Sequence, residues 1–273
     1  MSLAKAIRRQ AITRIDGALA AEPRDDAVAI EEPLELRVGG RSVVVLMRTP
    51  GHDRELAAGF LVTEGLVRHR DDILDLVHCA GRDTASAPEE NVLDVLLAPG
   101  VAVDFSRLSR HVFASASCGL CSKTGIAALR TQFPPIVQRF TPSRHVLASL
   151  PEKLRATQAA FAATGGLHAC ALFDREGGLV VVREDVGRHN ALDKVIGHAL
   201  FAERLPLSDA ILLVSGRVSF EIVQKSLAAG LACIAAISAP TSAAVAFAAG
   251  NGQTLVGFLR GPTMNVYSGT LAD

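Results

Sequence analysis

Aromatic residues are scarce in this chain of 273 residues, which has no tryptophan, one tyrosine and 4% aromatics in total. Proteins that hold single-stranded nucleic acid stack bases on aromatic side chains, so that class is disfavoured. Lys+Arg and Asp+Glu number 28 each, which leaves no net charge to attract DNA, RNA or anionic membranes. We therefore expect neither a nucleic acid nor a membrane as a partner.

We expect no secretion signal, because no apolar run of signal-peptide length follows the basic residues near the N-terminus. The uncharged stretch 226–259 is rich in small residues and is interrupted by Pro240, so it predicts strand, turn, helix and strand rather than a membrane span. Five cysteines, an odd number, argue for a reducing compartment and against a disulfide framework. We expect a cytoplasmic location.

The first half of the chain predicts a mixture of strands and helix. PLELRV and SVVVLM flank Gly39-Gly40, which indicates a β-hairpin. DRELAAGFLVTEGLV has helical apolar spacing, with Asp53 as its expected N-cap. LDLVHCA and NVLDVLLA predict two further strands.

The second half is more regular. From about residue 152 a helix (EKLRATQAAFAA) leads to two strands (HACALFD and LVVVRED), and helices and strands then alternate to the end. This pattern predicts helices packed on a largely parallel or mixed sheet, an α/β fold. We expect an N-terminal extension (1–29), a mixed α+β region (30–140) and an α/β nucleotide-binding or cofactor-binding domain (141–273).

Two cysteines three positions apart, Cys118 and Cys121, lie in the segment SASCGLCSKTG. A structural zinc site needs four ligands, and the chain has no second Cys-x-x-Cys pair. A thioredoxin-like pair would open the first helix of a βαβ unit, whereas this pair follows a mixed region. What remains is a reactive thiol, whose pKa Lys123 or a following helix start would lower. From the pair alone, reduced cysteines with no role stay possible.

The segment REDVGRHNALDKVIG predicts a strand, a turn at Gly187 and a helix that opens with Arg188, His189 and Asn190. Open α/β sheets bind ligands at such corners, and a helix N-terminus with an arginine suits a phosphate. Asp185, at the strand end, is placed to accept from a base or a sugar. The alternative is a well-capped helix start in which Asp185 and Asn190 satisfy backbone donors.

A second corner follows in AILLVSGRVSFEIVQK, where an apolar strand ends in Ser215, Gly216 and Arg217 before another helix. Small residues and an arginine at a helix start again suit an anionic ligand. His168, in TGGLHACAL, stands beside a Gly-Gly turn, and by itself it is more typical of a structural histidine than of a ligand contact.

Five segments of the chain together resemble the FdhD family, the formate dehydrogenase accessory sulfurtransferases. They are SCGLC, TGGLHACAL, EDVGRHNALDKVIG, SGRVSFEIVQKSLAAG and GFLRGPTMNVYSG. The resemblance covers about residues 30–269. One departure is Ser122, which stands where the family commonly has glycine after the second cysteine.

The resemblance implies that sulfur passes as a persulfide from a cysteine desulfurase to the chain. Cys118 would carry the sulfur and Cys121 would assist. The acceptor would be the molybdenum bis(molybdopterin guanine dinucleotide) cofactor, held as cargo and later inserted into the catalytic subunit of formate dehydrogenase. No permanently bound metal is expected.

The resemblance also implies guanine nucleotide binding, a homodimer and a fold whose larger part is similar to cytidine deaminases. We expect Arg188, Ser215, Gly216 and Arg217 to contact phosphate and sugar, and Asp185, His189 and Asn190 to contact base or sugar. The resemblance adds the segment FLRGPT to the cofactor site, namely Phe258, Leu259, Arg260, Gly261, Pro262 and Thr263. The competing hypotheses are a cofactor-binding chaperone without sulfur chemistry and a zinc or disulfide protein.

Overall fold

The computed structural model describes residues 3–15, 17, 22–79, 91–105, 133–137 and 140–273. The Cys118/Cys121 pair lies outside the described residues. The sequence IAALRTQF, which follows the pair, predicts a helix, and of it only Phe133 is described.

The helices and strands follow one another along the chain in a fixed order. They are α1 (Leu3–Ala6), β1 (Ile7–Arg14), β2 (Glu22–Ala29), β3 (Glu32–Val38), β4 (Arg41–Arg48), α2 (Asp53–Thr63), β5 (Ile73–His78), β6 (Val92–Leu97), α3 (Arg144–Thr157), α4 (Ala159–Thr164), β7 (His168–Phe173), β8 (Leu179–Asp185), α5 (Arg188–Phe201), β9 (Ile211–Val214), α6 (Phe220–Ala228), β10 (Cys233–Ala236), α7 (Ser242–Gly250), β11 (Thr254–Arg260) and β12 (Thr263–Ser268).

The main sheet has six strands in the order β12-β11-β10-β9-β7-β8. Strands β9, β10 and β11 are mutually parallel, whereas β7 pairs antiparallel with both β8 and β9 and β12 pairs antiparallel with β11. It follows that β8, β9, β10 and β11 all run in one direction. The predicted mixed sheet with flanking helices is confirmed.

A second, four-stranded sheet has the order β4-β3-β6-β5 and contains the predicted hairpin at Gly39-Gly40. Both glycines have positive φ, 57° and 79°, which is the left-handed conformation that such a two-residue turn requires. A separate two-stranded ribbon pairs β1 with β2, and its residues are mostly exposed. The ribbon and β12 are elements that the sequence analysis did not predict.

Two hydrophobic layers lie on the faces of the main sheet. Alternate residues of the strands face opposite sides, so Cys170 and Leu172 join one cluster while Ala169, Ala171 and Phe173 join the other. The larger cluster includes α2, α5 and the inner face of the four-stranded sheet. The core therefore runs across the predicted boundary at residue 140, and the division into domains stays a prediction.

Helices α2 and α5 approach each other at two glycines. A Cβ on Gly59 would lie 1.8 Å from the Asp193 carbonyl oxygen, and a Cβ on Gly197 would lie 1.9 Å from the Glu55 carbonyl oxygen. No side chain fits at either position without moving a helix backbone. The two glycines, 138 positions apart by their residue numbers 59 and 197, thus allow the two halves of the chain to pack closely.

A buried ion pair also joins these helices. Lys225 Nζ of α6 donates to both carboxylate oxygens of Asp193 in α5, at 3.0 and 2.8 Å, and to Thr63 Oγ1 of α2 at 2.9 Å. Burial raises the pKa of Asp193 to about 6, partly offset by Lys225. Burial opposes the charge of Lys225 as well, but Asp193 and Glu221 raise its pKa overall. This ion pair, with Thr63, therefore connects α2, α5 and α6.

Two local predictions need correction. The N-cap of α2 is His52, with φ 60° and ψ 30°, and Asp53 is the first helical residue. The Asp53 carboxylate does not cap the helix, because it accepts hydrogen bonds from Arg48 Nε and Nη2 at 3.0 and 3.1 Å. The single helix predicted from residue 152 begins earlier, at Arg144, and is broken at Gln158. The break arises because Glu184 accepts the backbone N–H groups of Ala160 and Phe161, which starts α4 as a separate helix.

Candidate functional site

The predicted ligand-binding segments meet at one edge of the main sheet. Because β8, β9, β10 and β11 are parallel, their carboxyl ends lie together, beside the starts of β7 and β12. The corners at 185–190 and 215–217 and the turn at 258–263 are all on this edge, which we call the carboxyl edge. Ligands of open α/β sheets bind at this kind of edge.

Asp185 lies beneath the surface of the edge and has no exposed area. Its Oδ1 accepts from the Gly187 N–H at 2.8 Å and from Asn190 Nδ2 at 3.0 Å. Its Oδ2 accepts from the Thr49 N–H at 3.2 Å and lies 2.6 Å from Lys194 Nζ. The carboxylate is therefore committed to the protein, and the geometry leaves no surface for the predicted contact with a base or sugar.

Asn190 has a similar placement. Its Nδ2 donates to Asp185 and, at 2.8 Å, to the Met47 carbonyl, and the residue is 6% exposed. Lys194 Nζ donates to the Thr49 carbonyl at 2.8 Å. Asp185, Asn190 and Lys194 thus bind the start of α5 to the end of β4 and the segment after it. This supports the interpretation of Asp185 and Asn190 as residues of a well-capped helix start.

Arg188 and His189 complete this corner nearer the surface. The Nε of Arg188 is buried, and no hydrogen-bond partner for it is found within the described part of the chain. His189 Nε2 lies 3.3 Å from Ser219 Oγ and 3.5 Å from Glu221 Oε2, so it links the start of α5 to the start of α6. Burial, with the nearby charges of Arg188 and Lys225, lowers the pKa of His189 to about 3. The ring is neutral at pH 7.

The second corner supplies small residues and an exposed cation. Ser215 Oγ accepts from the Ala169 N–H at 2.9 Å, which fixes the end of β9 against β7 and leaves the hydroxyl proton available to a ligand. Arg217 is exposed, and Gly216 packs against the ring of His168. His168 reaches this site because β7 starts at the carboxyl edge, although the sequence alone is more typical of a structural histidine there.

The loop after β10 joins the second corner to the third segment. The Val218 N–H donates to the Ala239 carbonyl at 3.1 Å, and the Thr241 N–H donates to the Val218 carbonyl at 2.9 Å. The Phe258 N–H donates to the Ser238 carbonyl at 3.1 Å. This loop, Ser238–Thr241, is part of the edge although the sequence analysis assigned it no role; the signal was the run of small polar residues after a buried strand.

The residues predicted from FLRGPT divide into buried and exposed positions. Leu259 is fully buried in the core, so only its backbone can meet a ligand. Phe258 is partly buried and has a φ of 52°, while Gly261, at φ 60°, turns the chain from β11 to β12. Arg260, Pro262 and Thr263 are exposed at the tip of that turn. Arg260 is thus the third exposed or partly exposed arginine at the edge, with Arg188 and Arg217.

The described cysteines are unequal in reactivity. Cys170 and Cys233 are each 1% exposed in the core, where burial raises both pKa values, that of Cys233 to about 12. A thiol rather than a thiolate is a poor nucleophile, so these two are inert. Cys79 is partly exposed at the end of β5.

A cavity of about 630 Å³ lies away from the carboxyl edge, at the N-terminal end of α2. Its lining includes Lys5, His52, Arg54, Glu55, His78 and Phe201. Phe201 is the last residue of α5, whereas Arg188 is the first, so the cavity and the candidate site lie at opposite ends of that helix.

Among the described residues, no helix is long and apolar enough to cross a membrane.

The fold defines a mixed α/β protein in which Arg188, Arg217 and Arg260 lie at the carboxyl ends of the parallel strands. The sequence model of the FdhD/NarQ family matches residues 29–271. The chain belongs to this family.

Individual relatives agree with that assignment. The chain is 51% identical over 265 residues to the sulfur carrier protein FdhD of Streptomyces avermitilis. The aligned region covers 96% of this chain and 93% of the relative. It is 49% identical over 250 residues to the sulfur carrier protein FdhD of Mycobacterium tuberculosis, covering 90% and 91% of the two chains. The chain is also similar to a crystal structure from Desulfotalea psychrophila, of a protein described as a formate dehydrogenase accessory protein. The two superimpose with a TM-score of 0.76 over 97% of each chain, at 24% sequence identity, which supports the fold.

Proposed function

We propose that this chain is a sulfur carrier that serves formate dehydrogenase, with sulfur held as a persulfide on Cys118. Its relatives are named sulfur carrier proteins at about half identity over nearly the whole chain. The observation that carries the proposal within this molecule is the division of its cysteines. Cys170 and Cys233 are buried and protonated, so the motif Cys118/Cys121 and the isolated Cys79 are the thiols that remain for sulfur chemistry.

The loading step requires a thiolate on the carrier. The Cys118 thiolate attacks the terminal sulfur of the persulfide on a cysteine desulfurase and forms a new S–S bond. The S–S bond of the donor breaks, and the donor cysteine leaves as a thiolate with the electron pair. This exchange needs no outside oxidant, and its rate depends on the thiolate fraction and the access of the attacking cysteine. Cys121 would assist.

The acceptor is proposed to be the molybdenum bis(molybdopterin guanine dinucleotide) cofactor, bound as cargo at the carboxyl edge. Arg188, Arg217 and Arg260 provide cationic groups for its phosphates, and Ser215 provides a hydroxyl donor. His189, neutral and 7% exposed, is proposed to contact base or sugar together with Ser219, to which its Nε2 is adjacent. Asp185 and Asn190 hold the corner in place behind these contacts. The same scheme includes a homodimer and a cytoplasmic location.

The second candidate is a chaperone that binds the cofactor without carrying sulfur. It is favoured by the one part of the scheme that the described residues supply in full, the cationic edge. Formate dehydrogenase activity in cells that produce Cys118→Ala, Cys121→Ala or Arg217→Gln separates the two. A sulfur carrier predicts that Cys118→Ala abolishes activity and that Cys79→Ala, the matched control, preserves it. A chaperone predicts activity with Cys118→Ala and loss with Arg217→Gln.

A further inference from the structure

His168 is the first residue of β7 and lies at the carboxyl edge, directly opposite Asp185 in the antiparallel pair with β8. Its ring packs against Gly216: a Cβ on that glycine would lie 3.1 Å from His168 Nδ1 and 3.3 Å from Cε1. The same position is 3.9 Å from Cδ of Arg188. His168, Arg188 and Gly216 thus form one continuous surface, and a side chain at position 216 would displace the ring.

One polar group of this surface lacks a partner within the part of the chain that the structure describes. The Nε of Arg188 is buried, and no hydrogen bond to it is found there. Buried polar groups are nearly always hydrogen-bonded, by protein, water or ligand. An unsatisfied buried donor at the edge where ligands bind in this architecture indicates a polar ligand. The half-buried ring of His168 lies close enough to meet the same ligand.

The charges around the ring indicate the sign of that ligand. Arg188 on α5 and Arg217 in the loop after β9 are both close enough to act on the charge of His168, while Asp185 is its partner on β8 and the neutral His189 follows Arg188 on α5. Burial lowers the pKa of His168 first, and Arg188 and Arg217 lower it further against the opposing effect of Asp185. A neutral imidazole near these arginines has an N–H to donate to an anion that they attract.

We infer that His168 is a ligand-contacting residue of this site and hydrogen-bonds the phosphate group that Arg188 and Arg217 attract. The inference rests on the proposed function, which places a phosphate-bearing ligand at the carboxyl edge, and adds a contact that the proposal does not contain. A bound phosphate brings negative charge to the ring and therefore stabilises its protonated form, so binding takes up a proton.

Titration calorimetry on the full chain with a guanosine diphosphate sugar tests the inference. Both phosphates of this probe are esterified, so its own charge stays constant near neutral pH. His168→Ala is expected to weaken binding about tenfold, the effect of one lost hydrogen bond to a charged group. His168→Gln keeps a donor and is expected to bind within about threefold of the unmodified chain.

The pH dependence separates a ligand contact from a structural role. The affinity of the unmodified chain should rise as the pH falls from 8 to 6, since the complex binds a proton that the free protein does not. The affinity of His168→Gln should be flat over that range, and that of His78→Gln, at the cavity away from the carboxyl edge, should keep the rise. The melting temperature of each variant shows whether it is folded, and His168→Gln decides the question if His168→Ala does not fold.

Different results would overturn the proposed cofactor site and the His168 contact. If the unmodified chain does not bind the probe, the proposed cofactor site is wrong and this inference falls with it. If the chain binds the probe and Arg217→Gln weakens binding, but the affinity of His168→Ala and its pH dependence match those of the unmodified chain, then the inference about His168 alone is overturned.

Discussion

Lys194 Nζ lies 2.6 Å from Asp185 Oδ2, and neither side chain has any exposed surface. The pair connects the end of β8 to the second turn of α5, and through Thr49 it reaches the segment after β4. The most specific motif of the sequence, EDVGRHNALDK, therefore combines two roles. Asp185, Asn190 and Lys194 hold the corner together, Arg188 is partly exposed at the candidate site, and His189 links the start of α5 to the start of α6.

Removing the lysine from this pair should be severe. Lys194→Met leaves the Asp185 carboxylate buried without its cation, which typically costs about 3–5 kcal/mol in the free energy of unfolding. Arg204→Met, at an exposed position beyond the end of α5, is the control for loss of a cation and should cost less than about 1 kcal/mol. Urea denaturation measures both, and equal losses in the two variants would refute the assigned role of Lys194.

Glycine at positions 59 and 197 is predicted to be essential to the packing of α2 on α5. Alanine normally favours a helix over glycine by about 1 kcal/mol, but here the added Cβ would meet a carbonyl oxygen of the facing helix. Gly59→Ala and Gly197→Ala should each lower the free energy of unfolding by at least about 2 kcal/mol.

The control for this pair is Gly250→Ala, at the last position of α7, where an added Cβ meets no atom within 4 Å. It should leave stability unchanged or raise it by less than about 1 kcal/mol. Thermal melts of the three variants provide the comparison. Stabilisation by Gly59→Ala would mean that the helices are not in close contact.

The buried, neutral His189 predicts acid sensitivity. Its pKa is about 3 in the folded chain and about 6.5 when unfolded, so the unfolded state binds more protons below neutral pH. This group therefore stabilises the fold above pH 6.5, and the contribution falls by about 2 kcal/mol between pH 7 and pH 5. Urea titrations at the two pH values should show a smaller loss in His189→Gln than in the unmodified chain. An identical loss would show that His189 is not held neutral.

The cationic edge predicts a salt-dependent affinity for guanine nucleotides. Arg217→Gln removes an exposed charge at the site and should weaken binding of guanosine diphosphate about tenfold at low salt, and less at high salt because screening reduces the contribution of the lost charge. Arg204→Gln, an exposed arginine beyond the far end of α5, is the matched control. Fluorescence titration with a labelled nucleotide measures both affinities, and equal weakening would place the site elsewhere.

The sequence predicted the repetitive part of the fold well. Apolar runs of four to seven residues correspond to β7 through β11. Strands β7, β9 and β10 are buried along nearly their whole length, as expected for inner strands, whereas β8 is an edge strand with an exposed Leu179. The ribbon of β1 and β2 was missed because its strands are mostly exposed and carry charged residues in place of an apolar pattern. Strand β12 was missed for a similar reason, since most of its side chains are exposed or partly exposed.

The site was predictable as a set of corners but not as a set of contacts. Loop composition identified 185–190 and 215–217, and the parallel strands explain why these corners lie at one edge. The burial of Asp185 depends on Thr49, which is distant along the chain, and no local pattern carries that information. The sequence does not predict a site role for His168, because the residue reaches the carboxyl edge only through the antiparallel placement of β7 between the parallel strands β8 and β9.

Sulfur loading on Cys118 tests the central claim most directly. The full chain is incubated with a cysteine desulfurase and cysteine, and the intact mass is measured with and without a reductant, beside Cys118→Ala and Cys79→Ala. We predict that the chain and Cys79→Ala gain the mass of one sulfur atom, that the reductant removes it, and that Cys118→Ala gains none. Equal loading of Cys118→Ala would contradict the assignment of Cys118 as the sulfur carrier.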